Sequence, residues 1–309
     1  MKGWAGRLGA LLLLIAVGLA LWAAVVQLGG PAVPEPTPAM REQAKKVRIL
    51  RDRFGVPHIY GQTDADTAFG LAYAHAEDDF PLIQTVLAAS RGRLGVMKPS
   101  TRSLAVDFFT GFIGVEEEVE RLYPSADPAL VALLEGYAAG LTFYASTHPD
   151  EAEASLLPFT GRDVARGFVQ KLPLMLGVDR TLKGLGDEPA LREPVFPGSN
   201  SHAIAPWRSE DGITRLNVNS HQPWEGPVAW YEAHVHSEEG WNAVGGTFPG
   251  APMILHGHNA HVGWAMTVNH FDAIDVYALE IEGDRYRSGD GWKTLQQRPI
   301  TLPLWTPWG

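Results

Sequence analysis

The sequence predicts an α+β protein, helical in its first part and rich in strands in its second. Between residues 64 and 144 apolar side chains recur at helical spacing, whereas beyond residue 202 they alternate in short runs broken by turn residues. The change falls at a Gly-, Pro- and acid-rich connector, Gly184–Pro197, which ends on Gly198-Ser199-Asn200.

Lys46–Asp52 alternates, with Val47 and Ile49 on one face, and is expected to be a strand; Gly55–Tyr60 continues as a second extended piece because Pro57 excludes helix. Ala68, Leu71, Ala72 and His75 set a helix over Asp64–Ala76 capped by an acidic residue, and a second helix follows over Asp79–Ala89 with Pro81 in its first turn. The clearest helix is Pro128–Tyr144. Asp127 is its N-cap, Pro128 its first residue, and Leu130, Leu133, Leu134, Tyr137 and Leu141 its apolar stripe. After the connector, strands are expected at His202–Ala205, Arg215–Asn219, Trp230–Ser237, Trp241–Val244, Met253–Leu255, His261–Thr267 and Asp275–Ile281.

The 309 residues are 45% hydrophobic and 19% charged, the balance of a soluble globular protein. A formal net charge of -10 argues against nucleic acid as a partner, since phosphate binding needs a basic surface. With no cysteine, a disulfide framework and thiolate chemistry are both excluded. Lys2 and Arg7 precede the uncharged run Leu8–Val26, so residues 1–30 read as an export signal or an uncleaved membrane anchor (the span 8–28), with the remainder periplasmic or extracellular. A proline-rich stalk occupies 31–45, a helical region 46–183, the connector 184–198 and a nucleophile-bearing region 199–309.

A Gly-Ser bond at a strand's edge suits self-cleavage. The hydroxyl of Ser199 can attack the carbonyl of Gly198, which has no side chain to obstruct it. Cleavage frees the α-amine of Ser199, so one residue supplies both nucleophile and base. The tripeptide alone is also a common turn.

The surrounding motifs resemble the penicillin acylase family of N-terminal-nucleophile amidohydrolases. Val47–Asp52 with Gly55–Ile59, and Phe69–Asp78, are similar to the family's α chain. Gly198-Ser199-Asn200 is similar to the start of its β chain. Asn219-Ser220-His221, Pro249-Gly250, Gly257-His258-Asn259, Trp264 and Asp272–Asp275 follow in matching order. The resemblance covers roughly residues 46–282 and implies the four-layered αββα sandwich, here incomplete. It further implies hydrolysis of a small-molecule N-acyl amide and self-processing into an α/β heterodimer.

By that resemblance Ser199 is the nucleophile, its freed amine the base, and the backbone N–H of Val268 an oxyanion donor, while His221 orients the nucleophile. Gln222, Leu255 and His256 fall at substrate-pocket positions. A second oxyanion donor, a β-chain asparagine, lies beyond Gly309, so the chain is expected to be an N-terminal fragment of a longer precursor. Gln222 and His256 stand where relatives often carry aromatic or apolar residues; the Glu77–Phe80 block and Leu134–Tyr144 lean towards the homoserine-lactone and long-chain amide branch.

Asp272 and Asp275, with the carbonyl of Ile274, offer hard oxygen ligands, and the resemblance implies a structural calcium there that joins the two chains; Asp179 and Glu193 are candidates for the remaining carboxylate. No organic cofactor is expected. His256, His258 and His261 invite a metal reading, but the matching family segment is a turn without a transition metal. The rival readings are a metal-dependent amidase built on these histidines and an anchored, inactive binding protein of the same fold.

Overall fold

Both halves of the chain contribute strands to one six-stranded sheet. The computed structural model describes residues 16–18, 31–185, 198–267 and 274–304. A short helix α1 (Pro38–Ala44) leads into the hairpin of β1 (Val47–Arg51) and β2 (Pro57–Gly61). Asp52 shapes the turn: its carboxylate accepts the N–H groups of Phe54 and Val56 at 2.8 and 3.0 Å. Beyond the connector, after the separate pair β3 (Asn200–Ile204) and β4 (Arg215–Asn219), come β5 (Tyr231–Ser237), β6 (Asn242–Thr247), β7 (His256–His258) and β8 (Gly263–Trp264). The sheet order is β1-β2-β5-β6-β7-β8, antiparallel throughout except that β2 and β5 run parallel, His58 opposite His234. One sheet face is apolar, carrying Ile59, Ala233, Val235 and Ala243, and it is buried.

Against that face lies α2 (Asp64–Ser90), kinked at Asp79, whose φ of -155° and ψ of 48° break the helix two residues before Pro81. This bears out the two expected helices, fused end to end. Their cap differs from expectation: the Thr63 hydroxyl, not an acidic side chain, accepts the N–H of Asp66 at 3.0 Å, and Asp64 lies in the first turn, where its charge complements the helix dipole. The next helices are α3 (Leu94–Met97), α4 (Thr101–Phe112) and α5 (Val115–Leu122).

Helix α6 (Pro128–Thr147) begins as expected, with the Asp127 carboxylate accepting the N–H of Ala129 at 2.8 Å. It packs on α2 through Gly136 and Gly140, where a Cβ would overlap the carbonyl oxygens of Ala65 and Phe69. Leu134, Tyr137 and Leu141 of its stripe are buried, but Leu130 in the first turn is exposed, so the buried face is narrower than the sequence suggests. Helices α7 (Gly161–Met175) and α8 (Val178–Gly184) complete the helical part. Leu71, Phe80, Ile83, Leu87, Tyr137 and Leu141 share one core with Ile59, Val235, Ala243 and Ile254 of the sheet side.

Two smaller sheets stand apart. One is the hairpin of β3 (Asn200–Ile204) and β4 (Arg215–Asn219); the other joins β9 (Ile281–Glu282), β10 (Arg285–Ser288) and β11 (Gly291–Thr294). Three strand expectations need correction. Met253–Leu255 is not a strand, because the chain turns after Pro249-Gly250 to bury Ala251 and Ile254, and the ladder resumes only at β7. His261–Thr267 pairs only over Gly263–Trp264. Residues 275–280 are exposed and irregular, since an alternating pattern forms a strand only where a neighbour completes its hydrogen bonds. The α+β class holds. The helices against the six-stranded sheet supply one α and one β layer of the implied four.

Most of the N-terminal apolar run and residues 186–197 of the connector lie outside the described residues.

Candidate active site

Ser199 stands at the mouth of the β3–β4 hairpin, immediately before the first paired residues, Asn200 and Asn219. Its hydroxyl donates to the carbonyl of Ser220 at 3.2 Å and is half-buried. The antiparallel register thus brings Gly198-Ser199-Asn200 against Asn219-Ser220-His221, two motifs offset by 21 residues in the chain.

His221 closes this end of the hairpin. Its φ of 48° makes it the one non-glycine residue with positive φ among the described residues, an uncommon conformation for a side-chain-bearing residue. The turn is held by its own N–H donating to the Asn219 side-chain oxygen at 3.2 Å, and its Nε2 lies 3.4 Å from the Asn200 side-chain nitrogen. The ring lies over Gly198: a methyl group added there would sit 3.3 Å from His221 Nδ1. A side chain at this position would crowd the imidazole, which would have to shift to admit it.

A second layer was not foreseen. Trp230 donates its indole N–H to the Ser220 hydroxyl at 2.6 Å, stacks on Phe248 with ring centroids 4.3 Å apart, and meets His256 at a tilt with centroids 4.7 Å apart. Burial lowers the pKa of His256, which favours its neutral form. The signal for Trp230 in the sequence was its place at the head of the alternating run Trp230–Ser237. What it touches depends on β4 and β6 and could not be read locally.

The other expected positions are only partly brought together. Gln222 is half-buried in the segment after His221. Leu255 donates its backbone N–H to Gly246 at 2.8 Å and is half-buried beside His256. Val268 and Asp272 lie outside the described residues, as do Glu193 and the side chain of Asp179. Ile274 is half-buried; Asp275 is exposed and accepts the Tyr277 hydroxyl at 3.3 Å. Among the described residues no three or more His, Asp or Glu side chains assemble as a metal site, and this includes His256, His258 and His261. His261 instead ends a turn in which Asn259 accepts its N–H at 2.8 Å.

Comparison with known proteins places these features in a family. Acyl-homoserine lactone acylase PvdQ of Pseudomonas fluorescens is 26% identical over 269 residues, covering 76% of this chain and 34% of that protein. Acyl-homoserine lactone acylase QuiP of Pseudomonas aeruginosa is 25% identical over 321 residues, covering 84% of this chain and 38% of that protein. The chain thus spans little more than a third of the length of these relatives. A thermostable penicillin G acylase structure from Alcaligenes faecalis aligns at a TM-score of 0.38 and 18% identity, covering 45% of this chain and 79% of that one. The penicillin amidase family model matches residues 46–305, most of the sequence, and the chain belongs to that family.

Proposed function

We propose that the protein hydrolyses the amide bond of an N-acyl compound through an acyl-enzyme on Ser199, after cleaving its own Gly198–Ser199 bond. The observation that carries the proposal is the hairpin end itself, where a serine preceded by glycine is enclosed by Ser220 and a conformationally strained His221. In the first step the Ser199 oxygen attacks the Gly198 carbonyl and displaces the Ser199 nitrogen; water then hydrolyses the resulting ester and leaves a free α-amine. That amine, with an ordinary pKa of about 8, accepts the hydroxyl proton when Ser199 attacks a substrate carbonyl. The backbone N–H of Val268 is assigned to the oxyanion, and His221 to holding the Ser199 region in place.

The relatives' names favour acyl-homoserine lactones as the first substrates to examine. β-Lactam and lipopeptide side chains are the alternatives. The reading includes a structural calcium at Asp272, Ile274 and Asp275, and export by the N-terminal apolar run. Hard oxygen donors suit that ion. No step of the reaction is assigned to it.

Mass spectrometry of the expressed protein tests the mechanism. Two chains are expected, the second beginning Ser-Asn-Ser-His, and Ser199→Ala should remain one chain without amidase activity. An intact single chain that hydrolyses N-acyl amides would overturn the reading.

A further inference from the structure

Beside Trp230, α2 and the segment 224–231 line an open cavity of about 340 Å³, within the range of small-ligand sites. Its walls divide cleanly by chemistry. Trp230 and Tyr231, with the exposed Trp224, supply aromatic surface, Asp79 and Glu225 supply carboxylates, and no lysine or arginine among the described residues lines it. The kink in α2 falls at Asp79, the residue that contributes one of these carboxylates. The neighbouring acids are already engaged: Arg51 pairs with Glu77 at 2.9 Å and with Asp78 at 2.8 Å.

The third polar group is His75. It is 1% exposed, lines the cavity, stacks on Tyr231 at 3.8 Å, and its Nδ1 has no hydrogen-bond partner. A buried nitrogen without a partner is costly unless something else satisfies it. Burial pushes the imidazole pKa down to about 3, so the ring is neutral and adds no positive charge to the wall. Burial also raises the Asp79 pKa, with the charge of Asp78 adding to the effect; a bound cation would oppose both. Two cations lie behind the wall: Arg51, paired with Glu77 and Asp78, acts on Tyr231, and Lys171 acts on His75, donates to the carbonyl of Pro249 at 2.9 Å and is brought by burial to a pKa of about 8.

We propose that this cavity binds an organic ammonium group, held between the aromatic faces and the Asp79 and Glu225 carboxylates. Aromatic faces attract cations through the ring quadrupole, and the carboxylates add charge. Trp230 belongs both to this cavity and to the Ser220 contact beside Ser199, but ammonium binding does not depend on the acylase reading.

The test is a comparison of n-hexylammonium with 1-hexanol, titrated against the protein by calorimetry and by tryptophan emission from Trp224 and Trp230. Neither probe contains an amide, so nothing turns over and the result is independent of Ser199 chemistry. The ammonium should bind about tenfold more tightly than the alcohol. Glu225→Gln, in an exposed segment, should weaken ammonium binding about threefold and leave alcohol binding unchanged; Asp79→Asn should do the same. Equal affinity for the two probes, no binding of either, or ammonium binding indifferent to Glu225→Gln would overturn the proposal.

Discussion

His58 on β2 and His234 on β5 face each other across the parallel pairing, their Nδ1 atoms 2.9 Å apart. One residue precedes Ser199 and the other follows it, so the contact joins the two segments that cleavage would separate. His234 is further held by Asn242, whose side-chain oxygen lies 3.1 Å from its Nε2.

At 2.9 Å one ring must donate and the other accept, so at least one of the two is neutral. Burial lowers the His234 pKa, and charge on His58, His236 or His258 acts the same way. A depressed folded pKa means that the stabilisation is complete above the unfolded value and is lost as pH falls below it. A double-mutant cycle of His58→Ala and His234→Ala, read by urea unfolding, should give a coupling of about 0.5–1.5 kcal/mol at about pH 7.5, which is lost only where both rings are protonated.

His75 makes a stronger pH dependence. Its pKa lies near 3 in the folded chain against an ordinary 6.5. Between those values the unfolded chain binds a proton that the folded chain excludes, so stability should fall with decreasing pH by up to about 1.4 kcal/mol per pH unit. His75→Phe, which keeps an aromatic ring against Tyr231, should flatten this slope in urea midpoints measured from about pH 7 to about pH 5.

The glycines of α6 separate packing from helix propensity. Gly140→Ala gains about 1 kcal/mol of propensity but forces a methyl group into the Phe69 carbonyl, an overpacking that costs about 1–3 kcal/mol. Net destabilisation is expected by denaturant unfolding. Gly167→Ala in α7, where an added Cβ meets nothing within 4 Å, should stabilise by up to about 1 kcal/mol in the same assay.

Trp230→Phe keeps an aromatic ring against Phe248 and His256 but removes the N–H bond to Ser220. Ser220 accepts the Ser199 hydroxyl through its carbonyl, so loosening it should slow the proposed Gly198–Ser199 cleavage, by about tenfold, in a time course of intact mass. An unchanged rate would remove Trp230 from the positioning of Ser199.

Much of the fold was legible because its signals are local. Asp127 and Pro128 announce a helix start, Pro81 marks the second segment of α2, and alternation from Tyr231 to Ser237 marks a strand, each through backbone chemistry within a few residues. The strand expected at Met253–Leu255 failed for a non-local reason: burial of Ala251 and Ile254 after the Pro249-Gly250 turn outweighed local extended preference.

The site divides in the same way. The sequence by itself determined that Ser199 follows glycine at the head of a strand and that Asn219-Ser220-His221 ends another, since residue types and short-range periodicity suffice for both. Only the tertiary structure decided that the two motifs meet, that Trp230 backs Ser220, and that His75 and Asp79 on α2 share a cavity with Trp224 and Glu225. It also decided that β2 and β5 join the segments on either side of Ser199. Those relations depend on strand register and helix docking, which are fixed by burying one shared core across distant parts of the chain rather than by any local stretch of it.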